Sequence, residues 1–215
     1  MTTVSSYGGP KPDCGKCPRL TSFRRENQDK FPDKFNGAVP AFGDLSSELL
    51  VVGLAPGLKG ANFTGRPFTG DYAGDLLYPS LLKMGFATGT YDARPDDGYT
   101  LKNARITNAV RCVPPQNKPV GAEMAKCLPF LENEIDAMPN LRVILALGGI
   151  AHKQTVKVLG GRQADYKFGH AHQHDFGELQ LFDSYHCSRY NVNTGRLNAP
   201  MFESVLQDII NYLEG

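Results

Sequence analysis

Two short runs with no polar residue at all set the tightest limit on how this chain can fold. They are Leu49-Leu50-Val51-Val52-Gly53-Leu54 and Val143-Ile144-Leu145-Ala146-Leu147. A strand with one face in water alternates polar and apolar residues, so runs of this kind belong to strands buried on both faces of a parallel sheet. Ala104 to Val110 and Leu179 to Tyr185 read as companion strands. Helical patterns lie between and after them. Leu76, Leu77, Leu81 and Leu82 repeat at helical spacing in 75–84, and Met124, Leu128, Leu131 and Ile135 in 121–138, where Pro129 is expected to kink or split the helix. Two more helices are expected over 149–159 and 201–213, the latter with Phe202, Val205, Ile209 and Leu213 on one face. Such alternation implies right-handed crossovers. The expected fold is α/β, a single domain over 1–215, with a central four-stranded, mainly parallel sheet flanked by helices. Residues 1–47, rich in proline and glycine and basic, are expected to form an N-terminal extension wrapped on that core.

Ligands of open parallel sheets bind beyond the carboxyl ends of the strands. The unusual sequences of this chain all fall there: Gly53-Leu54-Ala55-Pro56-Gly57 after the first strand, Arg111-Cys112-Val113-Pro114-Pro115-Gln116-Asn117 after the second, Gly148-Gly149 after the third, and His186-Cys187-Ser188-Arg189 after the fourth. Four such loops on one edge make a site.

Composition narrows the class. With 41% hydrophobic and 21% charged residues and a net charge of +1, the chain is no uniformly cationic binder, though a local basic groove remains open to it. Met1 to Pro10 has neither a basic start nor an apolar centre, so no signal peptide is expected. No apolar run approaches the roughly 18 residues of a membrane span. A soluble, cytoplasmic protein without membrane contacts is expected.

Four of the five cysteines form two separated pairs, Cys14/Cys17 on a Cys-Gly-Lys-Cys turn and Cys112/Cys127. Two thiolates on a tight turn are half of a metal site, and about four ligands complete one. The absence of a secretory segment argues against disulfides. Spacing alone leaves zinc and iron–sulfur equally open. Cys187 has no cysteine neighbour and falls outside the set.

The stretch after the first strand, GLAPGLKGANFTGRPFTGDYAGDLLY over 53–78, has glycines at 53, 57, 60, 65, 70 and 74. It matches neither a Walker loop nor GxGxxG, which argues against a nucleotide phosphate. It brings a guanidinium (Arg66), a ring (Phe68) and a carboxylate (Asp71) close together, so that a flat ligand could stack on the ring while the carboxylate works on it. Asn108, near the end of the second strand, offers donor and acceptor together, the pattern that reads a nucleobase edge; the competing role is ordering the loop. His186 sits at the end of the last strand among Ser188, Arg189, Tyr190 and Arg196. His170, His172 and His174 alternate, as on a solvated hairpin, with a second metal site the competing reading.

Taken in order, these motifs resemble one family. CxxCPRL (14–20), GLAPG with GANFTGRPFTGD, AVRCVPPQNKP (109–119), Cys127 and HCSRYNVNTGRL (186–197) are similar to uracil-DNA glycosylases of the iron–sulfur type, the type B or family 5 branch, over nearly the whole chain. The resemblance implies a structural four-iron, four-sulfur cluster on Cys14, Cys17, Cys112 and Cys127. It implies a monofunctional enzyme that everts uracil from DNA and hydrolyses the N-glycosidic bond to start base excision repair, with hypoxanthine and other deaminated or damaged bases as further substrates. A non-catalytic iron–sulfur protein that binds uracil-containing DNA is the alternative. Other branches place an acid or amide where Leu54 and Ala55 stand here; the family 5 pattern answers with Asp71 and Asn117. Together with His186 these are the implied catalytic residues. Gly53, Ala55, Gly57, Phe68 and Asn108 would hold the base, Asn108 matching the base-reading asparagine of family 4. Arg66, Ser188, Arg189, Tyr190 and Arg196 would contact DNA, double- or single-stranded, and the enzyme would act as a monomer.

Overall fold

The computed structural model describes residues 8–215. The first seven, part of the stretch expected to lack a signal peptide, lie outside it. In chain order the elements are α1 (Pro18–Lys30), β1 (Phe42–Gly43), β2 (Leu49–Gly53), α2 (Ala61–Thr64), α3 (Gly74–Lys83), β3 (Ala87–Thr88), β4 (Thr100–Leu101), β5 (Ala104–Asn108), a 3-10 turn (Pro115–Asn117), α4 (Gly121–Asp136), β6 (Val143–Leu147), α5 (Gly149–Val158), β7 (Gln173–Phe176), β8 (Leu179–Ser184), α6 (Arg189–Asn193) and α7 (Ala199–Glu214). The main sheet runs β1-β5-β2-β6-β8-β7. Its four inner strands are the expected ones and are all parallel. Two antiparallel edges, β1 on β5 and β7 on β8, extend it to six. Neither edge has an apolar run to announce it: β1 is two residues long, and β7 is polar.

Both faces of the sheet are covered. Leu49 and Val51 of β2, with Val143, Leu145 and Leu147 of β6, enter a core shared with α3 and α7. The intervening Leu50, Val52, Ile144 and Ala146 enter a second core under α4 and α5. All nine side chains are buried, and burying each aliphatic one stabilises the fold by about 1.5–3 kcal/mol. α4 runs unbroken through Pro129, contrary to the expected kink or split. A proline removes one hydrogen bond to the carbonyl four residues back; here that is Ala125, and both residues are exposed, so water can serve the freed carbonyl.

Two clusters of buried charge tie the sheet to its helices and loops. Glu134 of α4 is wholly buried and accepts from Arg105 Nε at 2.7 Å, from Thr107 Oγ1 at 2.8 Å and from Arg111 Nη2. It thereby holds β5 and the start of the following loop. Asp183 of β8, also wholly buried, faces His152 Nδ1 at 2.8 Å and His174 Nε2 at 3.1 Å, while His152 Nε2 meets the Tyr166 carbonyl at 2.9 Å. Carboxylate and carbonyl both only accept, so His152 carries both protons and neutralises Asp183. Burial lowers the His152 pKa, but the Asp183 hydrogen bond and charge outweigh it and the net shift is upward. The expected solvated histidine hairpin is found only in part: His174 alone of the three lies in β7 and turns inward as part of this strut, His170 is half-buried against Tyr185, and His172 is exposed. His152 has neither nitrogen free for a metal.

Two outcomes follow. Glu134→Ala leaves two buried guanidinium groups without this carboxylate, and unfolding by denaturant should show a loss of about 3–5 kcal/mol. A group whose folded pKa lies above its unfolded value, about 6.5 for histidine, stabilises fully below that value. It loses the contribution as pH rises through the folded one. Melting curves of the wild type should therefore decline above neutrality with a slope that His152→Gln flattens; parallel pH profiles would contradict the charged pair.

Candidate active site

Gly53 closes β2 directly opposite Asn108, which closes β5. A Cβ on Gly53 would stand 2.4 Å from Phe68 Cζ and 2.5 Å from Asn108 Oδ1, so ring and amide meet over a backbone that only glycine leaves bare. Asn108 is 3% exposed, and its Oδ1 is buried without a hydrogen-bond partner. A buried acceptor of this kind costs about 1–3 kcal/mol unless something donates to it. The neighbouring backbone is tied across the strands: Ala109 N–H donates to the Gly53 carbonyl and Val110 N–H to that of Leu54, both at 2.9 Å.

Phe68 has φ +56°, a left-handed conformation costly for a bulky residue and typical of functional sites. Its surroundings enforce it. Arg66, 5% exposed, forks to Asp97 at 2.8 and 2.7 Å and donates from Nε to Thr69 Oγ1 at 2.6 Å. Its guanidinium lies over Phe42, Tyr78 and Tyr91. Tyr78 Oη donates to the Pro67 carbonyl at 2.5 Å, and Gly74 approaches the Phe68 carbonyl so closely that a Cβ would stand 2.0 Å from it. The Arg66 side chain therefore overturns the expected DNA contact: its charge is matched by Asp97 inside the protein, and its office is to lock the Phe68 turn. The guanidinium hydrogen bond in turn holds the Asp97 carboxyl far below the usual range.

Asp71 lies just beyond that turn. Alanine at Gly57 or Gly60 would put a Cβ 2.2 or 2.0 Å from its carboxylate atoms, and Ala61 N–H donates to Oδ2 at 3.2 Å. Burial raises the Asp71 pKa, more than the N–H groups of Ala61 and Gly57 lower it. His186 follows β8. Its ring centroid is 6.0 Å from that of Phe68, its carbonyl accepts from Asn191 Nδ2 at 2.8 Å, and a Cβ on Gly148 would stand 3.2 Å from its own Cβ. Burial pushes its pKa down to about 4, so the imidazole is neutral at pH 7 and one ring nitrogen carries a proton to donate.

Beside His186, Ser188 caps α6 by accepting from Asn191 N–H. The expected loop 189–196 thus begins as a short helix. Tyr190 on it is 71% exposed. Arg189 lies over Tyr72 at 5.1 Å and Arg196 over Tyr185 at 4.3 Å; both arginines are exposed. Tyr72 Oη donates to Asn193 Oδ1 at 3.1 Å, joining the Asp71 loop to α6. Asn117 stands apart from Phe68, Asp71 and His186 in its contacts. It is exposed on the 3-10 turn with φ +56°, and its N–H donates to the Pro114 carbonyl.

Cys14, Cys17, Cys112 and Cys127 line one cavity with Leu20, Thr21 and others. Ala55 packs against the apolar side of this group, and Arg111 N–H reaches Cys127 Sγ at 3.4 Å. Cys187 is buried in the main core, as expected of a non-ligand. Asp97, Tyr91 and Glu134 were not legible as site residues, because no spacing links them to the motifs they support; Tyr72 lies within the quoted 53–78 stretch, but nothing there points to its partner Asn193.

A model of the uracil-DNA glycosylase superfamily matches residues 40–210. The chain belongs to that superfamily. It is 41% identical over 202 residues to a type-5 uracil-DNA glycosylase of Thermus thermophilus, covering 91% of each chain. Identity is 36% over 199 residues to a type-5 uracil-DNA glycosylase of Pyrobaculum aerophilum, covering 91% of this chain and 87% of the other. A type-4 uracil-DNA glycosylase of the same organism is 34% identical over 151 residues, 70% of this chain and 63% of its own. Membership brings the enzyme class with it, a hydrolase acting on N-glycosyl bonds.

One substitution tests the Asp71 niche without any assay of catalysis. Gly60→Ala should drive the carboxylate outward into water and return its titration, followed by carboxyl NMR, towards the ordinary aspartate value; an unmoved midpoint would show that the glycine is dispensable.

Proposed function

We propose that this chain removes uracil from DNA, single- or double-stranded, by hydrolysing its N-glycosidic bond, acting as a monomer in base excision repair. One observation carries the proposal. A ring in strained backbone, an unpartnered buried amide oxygen and a neutral imidazole converge at the strand ends, with a half-buried carboxylate just beyond. A target base inside a duplex must first be everted, at a cost of a few kcal/mol. Tyr190, exposed on α6, is suited to enter the stack, and Arg189 and Arg196 to hold flanking phosphates.

The everted base stacks on Phe68, and Asn108 Oδ1 accepts from its imide edge. Departure of the base leaves negative charge on its oxygens, and His186, neutral and held by burial, donates there without first giving up a charge. Asp71 faces the sugar as positive character develops and takes a proton from the attacking water, for which its raised pKa suits it. Asn117 would orient that water once DNA draws its turn inward. Leu54 and Ala55 put no polar gate at the first loop, which supports acceptance of hypoxanthine and other deaminated bases beside uracil.

A four-iron, four-sulfur cluster fits the cysteine cavity. The four cysteines line one space, and Thr21, which lines it too, has a buried hydroxyl without a partner. When bound, the cluster would supply structure and no chemistry, stapling the extension through Cys14 and Cys17 to the β5 loop and α4.

In single-turnover assays on a uracil-containing duplex, Asp71→Asn and His186→Ala should each slow excision by about 100-fold or more while DNA binding survives. The wild-type rate should fall as pH drops through the raised Asp71 pKa. Unchanged rates in both variants would remove these roles; binding without excision in the wild type would leave a non-catalytic binder.

A further inference from the structure

α1 lies over the cysteine cavity, and its buried residues are Leu20, Arg24 and Asn27. Arg24 is 4% exposed. Among the described residues no carboxylate lies within ion-pair distance of it. Its Nη1 donates to the Cys14 carbonyl at 2.9 Å and stands 3.7 Å from Cys112 Sγ, while its Nε is buried with no acceptor. One turn earlier, Thr21 lines the cavity with an unpartnered buried hydroxyl. A cation taken out of water needs opposite charge close by, and a buried donor needs an acceptor. Neutral thiols answer neither need. A cluster held by four thiolates is anionic, and its sulfurs accept hydrogen bonds, which are among the features that set its potential.

We infer that Arg24, assisted by Thr21, is the counter-cation of the cysteine-held cluster, reaching across from the extension at Cys14 to the β5 loop at Cys112 and setting the cluster's reduction potential. The inference rests on the cluster proposed above. Reduction adds one electron and no proton to an already anionic centre, so a fixed cation beside it favours the reduced form. Removing the cation or a donor therefore moves the potential to more negative values. The side-chain hydrogen bonds of Arg24 among the described residues go to Cys14 and Cys112; its effect is expected on the cluster.

The test uses the full-length protein purified without oxygen, as wild type, Arg24→Met, Arg24→Lys and Thr21→Val. Iron and sulfide per chain are measured first, and the midpoint potential is then taken from a redox titration followed by electron paramagnetic resonance. Arg24→Met and Thr21→Val should retain iron and shift to more negative potential, with Arg24→Lys nearer the wild type. Full iron content with an unmoved potential in Arg24→Met and Thr21→Val would overturn the inference. Should Arg24→Met fail to fold or to load, the order wild type, Arg24→Lys, Thr21→Val decides: a negative shift in Thr21→Val with Arg24→Lys close to wild type supports it, and no shift in Thr21→Val overturns it. A wild type that binds zinc, or no metal, refutes the cluster itself and is recognised before any variant is compared.

Discussion

A single buried carboxylate holds together the two halves of this molecule's chemistry. Glu134 receives Arg105 and Thr107 from β5 and Arg111 from the loop beyond it. Thr107 precedes Asn108, the residue with an amide oxygen waiting for a donor; Arg111 precedes Cys112, one of the four cavity-lining thiols. Two cations and one carboxylate in a dry interior are expensive unless geometry is well kept. That cost is what makes the arrangement selective: β5 and its loop have one position that satisfies all three partners. The Asn108 end of β5 and the cysteine cavity are thus set from the same point, and the 2.9 Å bonds from Ala109 and Val110 to the first loop carry that position across to Gly53.

A similar logic governs the strained turn. A left-handed phenylalanine does not persist by itself. Here the Arg66–Asp97 fork, the aromatic faces around the guanidinium and the Tyr78 bond to Pro67 leave it no alternative. Rigidity at Phe68 bears on the stacking proposed for it, because a ring selects for flatness only if it cannot turn aside. Next to it the pocket separates two titratable groups by environment. Burial lowers His186 into neutrality and raises Asp71 towards proton exchange, which gives donor and acceptor roles at one pH.

Of the parallel inner strands, β2 and β6 were legible as short continuous apolar runs bounded by turn signals, β5 and β8 as their companions, and the site's location followed from where the strands end. The cysteines, Phe68, Asp71, Asn108 and His186 were legible as chemistry-bearing types in ordered motifs. What escaped was charge satisfied inside the protein. Arg66 reads in sequence as a free cation, and only its partner Asp97, 31 positions away, shows otherwise. Asp183 with its two histidines is hidden in the same way. The edge strands escaped because two residues, or four polar ones, leave no periodicity. Pro129 misled because propensity describes an isolated helix, whereas α4 is held by Cys127, Leu131, Glu134 and Ile135 packed inward.

The roles proposed for Phe68, Asn108, His186 and Asp71 require that a base leave its sugar at these strand ends. The most direct measurement is incubation of the purified protein with duplexes carrying a single uracil or, as control, thymine, followed by hot alkali. Strand scission at the uracil and not at the thymine is the predicted result. An intact uracil strand, under conditions where the protein demonstrably binds the duplex, would contradict the account.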